Sequence, residues 1–309
     1  MIKYILFLAV GFIFLYKGSD IFVDGSMALA IRLRIPAYII GLTIVAMGTS
    51  IPETAVSLTA AIDDNASICI GNVVGSNILN ILIILGVSAI IRPLAVSSKT
   101  IWAGITFMLL CSVILLAIGR DGQIIANEGA FLLFLFIFYL LSLVVMSWRE
   151  NEPEPPDDVL DLGLTLLFII AGLIAVIIGS RLTVYSASQI AHMMNISDRI
   201  IGLTVVALGT SLPEFFTSVN AAQKGNTSIA ISNIIGSNIY NILFILGLTS
   251  LVTNVPYLQE FKVDALVNIA TVVLLFMVCV FNKKLSRLGG CILLSGYILY
   301  FIFLLITRQ

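Results

Sequence analysis

The sequence predicts an all-α integral membrane protein with ten transmembrane helices, arranged as two inverted five-helix repeats with broken core helices. Three observations support this prediction. Of the 309 residues, 60% are hydrophobic and only 11% are charged, whereas a soluble domain carries about 25% charged residues. Long apolar runs approach the roughly 20 residues that cross a hydrocarbon core. The same pattern of residues also occurs twice along the chain.

Apolar runs divide the first half into five predicted spans. They cover about 3–27, 35–62, 67–91, 101–118 and 129–147. The first run has no A-x-A-like cleavage site, so we interpret it as a retained helix. The next stretch reads SWRENEPEPPDDVLD, and its acidic, proline-rich composition excludes a span. The predicted domains are a first five-helix repeat at 1–146, a cytoplasmic linker at 147–161 and a second five-helix repeat at 162–309.

The second half repeats the first at a constant offset in residue number. Residues 41–61 read GLTIVAMGTSIPETAVSLTAA and align without gaps with 202–222, GLTVVALGTSLPEFFTSVNAA (202 − 41 = 161). Residues 71–86 read GNVVGSNILNILIILG and align with 232–247, SNIIGSNIYNILFILG (232 − 71 = 161). Because each repeat has an odd number of helices, the second copy enters the membrane from the opposite side. This predicts inverted repeats around one shared site.

The charges in the loops predict the orientation. With the N-terminus outside, nine Lys and Arg residues lie in inner loops against five in outer loops, and cytoplasmic loops carry the excess of positive charge. We therefore expect a multi-pass protein of the cell membrane, surrounded by the lipid bilayer, with its N-terminus outside. The formal net charge of −1 argues against nucleic acid as a partner.

Each repeat places one glutamate in an apolar span, Glu53 in GTSIPE and Glu214 in GTSLPE. A charge at the bilayer centre costs about 2.5–3.5 kcal/mol on insertion scales, so an acid there indicates function. Two-fold symmetry would bring the two carboxylates together. They would repel each other unless a divalent cation lay between them. Carboxylate oxygens are hard ligands that suit Ca²⁺.

Further oxygen atoms surround each glutamate in the sequence. Pro52 and Pro213 lack an N–H, which frees carbonyl groups one turn earlier near Gly48 and Gly209. The hydroxyls beside the breaks belong to Thr49, Ser50, Thr210 and Ser211. The second motif of each half adds Ser76 and Asn80 in one copy and Ser237 and Asn241 in the other, four residues apart and thus on one helix face.

A structural interpretation stands beside the functional one for the neutral residues. A single Ser or Thr in a membrane helix more often bonds back to a carbonyl of its own helix. Asn residues can join helices, and Gly75 and Gly236 can serve close helix packing. The occurrence of the whole set in two matched copies favours an ion site.

The paired motifs resemble the two alpha-repeats of the sodium/calcium exchanger family, within the cation/calcium antiporter superfamily of prokaryotic type. The resemblance covers both halves and implies ten helices, alternating access and exchange of Ca²⁺ for Na⁺ at four clustered sites. We expect no cofactor, the transported Ca²⁺ and Na⁺ ions as partners, and a monomer. By motif position, the resemblance implies Ca²⁺ ligands Glu53 and Glu214 with help from Thr49 and Thr210. The implied Na⁺ sites add Ala46, Ser50, Ser76, Ala207, Ser211 and Ser237, with Asn80 and Asn241 as the central pair.

Several alternatives remain open at this point. Similar exchangers often carry Asp at one or both central positions, where this chain has Asn80 and Asn241, which disfavours the K⁺-dependent branch. An H⁺- or K⁺-coupled cation antiporter is the first alternative, and a cation channel is the weaker one. An intramembrane protease would need paired Asp residues or a Ser/His set within the spans. His192 is the only histidine and lies near a span end, so we expect no enzyme.

Overall fold

The chain folds almost entirely into helices that are joined by short loops. The computed structural model describes residues 2–63, 65–148, 160–194 and 207–307. The helical segments are α1 (Ile2–Leu33), α2 (Ala37–Thr49), α3 (Ile51–Ile62), α4 (Ser67–Ile91), α5 (Thr100–Asp121), α6 (Ala126–Trp148), α7 (Leu162–Met193), α8 (Ala207–Thr210), α9 (Leu212–Lys224), α10 (Thr227–Val252), α11 (Gln259–Val280) and α12 (Arg287–Thr307).

Eight of these segments are long and apolar enough to cross a membrane, and α2 with α3 forms a ninth candidate span within the described ranges. The remaining predicted span is the second-half counterpart of 35–62. Its beginning lies outside the described residues, and its remainder is α8 with α9. Of the predicted linker, residues 149–159 also lie outside the described part of the chain. The protein is therefore a multi-pass helical membrane protein.

Two core helices are interrupted at a serine. α2 and α3 meet at Ser50 with a bend of 47°, where the backbone leaves helical geometry (φ −85°, ψ 12°). Ser211 separates α8 from α9 with nearly the same dihedral angles (φ −86°, ψ 5°). Pro52 and Pro213 lie in the first turn after each break. The N–H groups of a first turn have no acceptor within the helix, so proline is tolerated there. The two interruptions thus occur at equivalent positions of the two halves.

α1 continues to Leu33, beyond the predicted end near residue 27, and α7 has the same length of 32 residues. They pack along each other, and glycines permit the close approach. A Cβ atom at Gly172 would lie only 2.6 Å from Phe22 N. Arg32 Nη1 donates a hydrogen bond to Leu160 O over 3.1 Å, which holds the additional turns of α1 against the start of α7.

Within the described residues, four helices contain a π-helical turn, in which one extra residue widens the helix. These turns cover Gly41–Val45 in α2, Asn80–Leu85 in α4, Thr100–Ile105 in α5 and Asn241–Ile245 in α10. Asn80 and Asn241 each begin such a turn, and they are counterparts at the repeat offset (241 − 80 = 161). Widened turns commonly mark functional positions.

Two short strand pairs join the halves at the loops. β1 (Leu94–Ala95) pairs antiparallel with β4 (Lys284–Leu285), and β2 (Gln123–Ile124) pairs antiparallel with β3 (Val255–Pro256). Leu94 lies opposite Leu285, and Ile124 lies opposite Val255. The repeat offset converts position 94 to 255 and position 124 to 285, so each pair is the counterpart of the other. Every pair takes one strand from each half, which links the two halves at the helix ends.

The core of the fold lies around α4 and α10. In α10, 94% of the most apolar window is buried, against 17% in α12. In α1, α6 and α7 only 28% of the corresponding window is buried, as expected where a helix faces lipid. The two most buried helices carry the second motif of each half, and so the polar motif residues are enclosed by protein.

Candidate cation-binding site

The two glutamates lie at matching positions in the buried centre. Glu53 is in the first turn of α3 and Glu214 is in the first turn of α9, each directly after a break. Both are only 1% exposed. The first turn of a helix directs N–H dipoles toward a carboxylate, which stabilises its negative charge. The local breaks therefore create places where a buried acid is tolerated.

Each glutamate accepts a hydrogen bond from the serine of the other half. Ser50 Oγ donates to Glu214 Oε1 over 2.7 Å, and Ser211 Oγ donates to Glu53 Oε1 over 3.2 Å. Because Ser50 is three residues from Glu53 and Ser211 is three residues from Glu214, these crossed contacts bring the two carboxyl groups together. Hydrogen bonds to a charged group are stronger than those between neutral groups.

The remaining residues of the predicted set surround this pair. Ser211 Oγ also lies 3.4 Å from Ser76 Oγ. Ser237 Oγ donates to Ala46 O over 3.4 Å, and Thr49 Oγ1 lies 3.3 Å from the same carbonyl oxygen. Thr210 is buried at the end of α8. Ala207 begins α8, and its side chain lies outside what the structure describes.

Four asparagines meet where α4 crosses α10. Asn80 Nδ2 donates to Asn238 Oδ1, and Asn241 Nδ2 donates to Asn77 Oδ1, both over 3.0 Å. All four side chains are at most 1% exposed. The two contacts are related by the repeat offset, and each joins one half of the chain to the other. The predicted central pair thus lies within a larger amide cluster.

Four buried oxygens of this centre have no hydrogen-bond partner among the described residues. They are Glu53 Oε2, Glu214 Oε2, Asn80 Oδ1 and Asn241 Oδ1. An unsatisfied buried polar atom is destabilising, and here such atoms occur as two matched pairs. No group of three or more His, Cys, Asp and Glu side chains that could hold a metal occurs in the described ranges. The available donors are therefore two carboxylates with neutral oxygens, a set that suits hard cations.

Two further asparagines support the glutamate helices and were not singled out from the sequence. Asn72 Nδ2 donates to Glu53 O over 3.2 Å and to Ser57 Oγ over 2.9 Å. Asn233 Nδ2 makes the equivalent contact with Ser218 Oγ over 2.9 Å. Asn72 and Asn233 are counterparts at the repeat offset within the second motif (233 − 72 = 161). This matched spacing was the signal that would have identified them.

Two expectations about glycines need qualification. The carbonyl of Gly209, expected to be free for a ligand, accepts a hydrogen bond from Ser180 Oγ over 2.7 Å, because α7 passes beside the break. Close packing is present at Gly236, where a Cβ atom would lie 2.6 Å from Leu42 O. Gly75 has no described atom within 4 Å of such a Cβ position, and the counterpart of Leu42 lies outside the described residues.

Comparison with known proteins identifies the family. The protein-family model for the sodium/calcium exchanger protein family matches residues 3–145 and, a second time, residues 164–306. The chain belongs to this family. The two matches differ by the repeat offset at both ends (164 − 3 = 161; 306 − 145 = 161). Members of this family are transporters, and the repeat found in the sequence coincides with the two matches.

Individual relatives agree with this assignment. The chain is 30% identical to the sodium/calcium exchanger MaX1 of Methanosarcina acetivorans, covering 97% of both chains. It is 35% identical to the inner membrane protein YrbG of Escherichia coli, covering 95% of this chain and 94% of that protein. A solved structure of the sodium-calcium exchanger NCX_Mj superposes with a TM-score of 0.87 at 36% identity, covering 98% of this chain and 99% of that one.

Proposed function

We propose that the chain exchanges Ca²⁺ for Na⁺ across the cell membrane by alternating access, and that the exchange is electrogenic. The observation that carries this proposal is the set of four unpartnered oxygens, two of them from carboxylates contributed by different halves. Glu53 and Glu214 would bind Ca²⁺, aided by Thr49 and Thr210. The Na⁺ sites would use the same carboxylates with the neighbouring oxygens of Ala46, Ala207, Ser50, Ser211, Ser76 and Ser237.

The charge of the site accounts for coupled exchange. One Ca²⁺ or two Na⁺ neutralise the two carboxylates, so a loaded site crosses the protein with little net charge. An empty site would carry two uncompensated charges through a region of low dielectric constant, which is unfavourable. A third Na⁺ would move one net charge per cycle, and the membrane potential would then contribute about 2.3 kcal/mol per 100 mV.

The proposed architecture is ten helices in two inverted repeats, with the N-terminus outside and the linker at 147–161 in the cytoplasm. The two family matches at one offset and the two reciprocal strand pairs support this arrangement. An odd number of helices in each repeat requires the inversion.

Contacts of α1 support a sliding movement of α1 and α7 against the remaining helices. Lys224 at the end of α9 contacts two acids of α1, Asp20 Oδ1 at 2.7 Å and Asp24 Oδ1 at 2.6 Å. At the repeat offset, Lys224 corresponds to Asp63 and Asp20 corresponds to Arg181. The acid and the base have therefore changed places in the second pair. Both counterparts are exposed, and within the described residues neither forms an ion pair. We propose that this second pair forms when the first one separates.

A cavity supports the same interpretation. It has a volume of about 390 Å³ and lies beside α3, on the side where the second ion pair is not formed. Its walls include Thr59, Asp63 and Asn65. The cavity walls do not include Glu53 or Glu214; we propose that ions enter on this side of the protein in this state, while the α1–α9 contact closes the opposite side.

The function can be tested by reconstitution in liposomes. Vesicles loaded with Na⁺ and diluted into Na⁺-free buffer should accumulate external ⁴⁵Ca²⁺, and uptake should stop when the Na⁺ gradient is collapsed. Uptake that follows a proton or K⁺ gradient would replace Na⁺ coupling with the alternative antiporter. Flux that needs no counter-ion and does not saturate would indicate a channel.

A further inference from the structure

Two asparagines at the crossing of α4 and α10 determine how their neighbours are oriented. Asn77 Nδ2 donates to Asn238 O over 3.2 Å, and Asn238 Nδ2 donates to Asn77 O over 3.1 Å. A backbone carbonyl oxygen only accepts hydrogen bonds. Each of these amides must therefore direct its NH₂ group at that carbonyl and its Oδ1 atom elsewhere.

This orientation is passed on to the central pair. Asn77 Oδ1 lies 3.0 Å from the amide of Asn241, and Asn238 Oδ1 lies 3.0 Å from the amide of Asn80. An amide oxygen cannot donate, so Asn80 and Asn241 must present NH₂ groups and turn their own oxygens away. The two backbone carbonyl oxygens thus determine the orientation of all four side-chain amides. Which end of each amide is the NH₂ group follows from the hydrogen-bond network alone.

The oxygens that are turned away are the two unpartnered amide oxygens of the site. Asn80 is four residues from Ser76, whose Oγ lies 3.4 Å from Ser211 Oγ, the donor to Glu53. Residues four apart share a helix face, so Asn80 lies on the face of α4 that meets the carboxylates.

We propose that Asn77 and Asn238 are positioning residues, which keep the amide oxygens of Asn241 and Asn80 directed at the transported cation. The inference rests on the proposed function. If the Asn241 amide turned over, it would present NH₂ hydrogens, which repel a cation. Asn77 prevents this only while its Oδ1 accepts the hydrogen bond. An asparagine of each half therefore orients a cation ligand that belongs to the other half.

The contacts make this role separable from packing. Asn77→Ala removes the acceptor for Asn241, but it leaves the backbone carbonyl that orients Asn238. Asn80 should therefore stay oriented while Asn241 becomes free to turn. In the N241D background both outer atoms of the side chain are oxygens, so its orientation no longer matters.

The test is a double-mutant cycle on the full chain in liposomes, with the half-saturating Ca²⁺ concentration and the maximal rate measured separately. Asn77→Ala should raise the half-saturating concentration about tenfold in the wild-type background, with a smaller change in maximal rate. In the N241D background, the same substitution should change it less than about threefold. In the N80D background the full effect of Asn77→Ala should remain, because Asn80 is oriented by Asn238 and not by Asn77.

The outcomes separate the inference from the proposed function. An equal effect of Asn77→Ala in all three backgrounds would mean that Asn77 serves packing alone, and an unchanged half-saturating concentration would also overturn the inference. If Asn77→Ala does not fold, Asn238→Ala with N80D as its partner background provides the same test. A wild-type protein that does not exchange Ca²⁺ would overturn the proposed function, and this inference with it.

Discussion

Removing one of the two central charges should nearly abolish Ca²⁺ exchange. In Glu214→Gln the amide oxygen can still accept the hydrogen bond of Ser50, observed at 2.7 Å, so the local shape is kept. The atom that replaces the unpartnered Oε2 is then an NH₂ group directed at the cation. The site retains one carboxylate, and a bound Ca²⁺ leaves one uncompensated positive charge. Glu53→Gln changes the other half in the same way.

The size of this effect follows from the burial of the site. Both glutamates are 1% exposed, so water cannot replace the lost charge. Removing one partner of a buried charge pair costs about 3–5 kcal/mol, and 1.36 kcal/mol corresponds to a factor of ten. Ca²⁺ affinity should therefore fall roughly 150-fold to 5,000-fold in either variant.

Calorimetric titration of Ca²⁺ into purified protein would measure this change, and ⁴⁵Ca²⁺ uptake by liposomes would measure its consequence for transport. Glu260→Gln provides the matched control, because Glu260 is exposed in the first turn of α11. It should bind and transport Ca²⁺ like the wild type. If Glu53→Gln or Glu214→Gln binds Ca²⁺ within a factor of three of the wild type, the two carboxylates do not share a cation.

Three further predictions concern the surroundings of the site. Ser50→Ala should weaken Ca²⁺ binding in calorimetry by about tenfold, because it removes a hydrogen bond to a buried carboxylate, and Ser211→Ala should have a smaller effect because its bond is longer. Lys224→Gln should favour the state in which α1 has left α9, because it removes the ion pairs between them. A reporter cysteine, Thr59→Cys in the cavity beside α3, should then react about threefold more slowly with an aqueous thiol reagent than it does when Lys224 is present. Gly172→Ala should destabilise the protein by about 1–3 kcal/mol, measured as a lower Tm, because its Cβ would lie 2.6 Å from Phe22 N.

These predictions have their own controls. Gly71→Ala should leave Tm nearly unchanged, since its Cβ would meet Phe261 only at 3.5 Å, an ordinary contact. A larger loss of Ca²⁺ affinity in Ser211→Ala than in Ser50→Ala would contradict the ranking by distance. Unchanged reactivity at Thr59→Cys would mean that Lys224 does not hold α1 in this state.

The sequence alone predicted the features that depend on the order of residues. The constant repeat offset, the prolines beside Glu53 and Glu214 and the apolar runs are all visible in it. The prolines predicted broken helices near Gly48 and Gly209, and the breaks occur two residues later in each half, at Ser50 and Ser211. The family resemblance was also correct. The assignment of ion ligands stays a prediction, for which the convergence of the motif residues provides geometric support.

Other features depend on which face of each helix meets its neighbours. The crossed hydrogen bonds of Ser50 and Ser211 require the three-dimensional arrangement of the breaks. The reciprocal contact of Asn77 and Asn238 depends on the crossing point of α4 and α10. The added length of α1 reflects its packing against α7, because composition alone does not distinguish the end of a span from a helix that continues along a neighbour.

The central claim is that carboxylates from the two halves hold one shared cation. Crystals grown with Ca²⁺ and measured at a long wavelength, where calcium scatters anomalously, would locate that ion directly. We predict one strong anomalous peak within about 2.6 Å of oxygen atoms from both Glu53 and Glu214, which weakens when Na⁺ is added. A peak bound to only one of the two glutamates, or calcium found only outside the centre between α4 and α10, would contradict the claim.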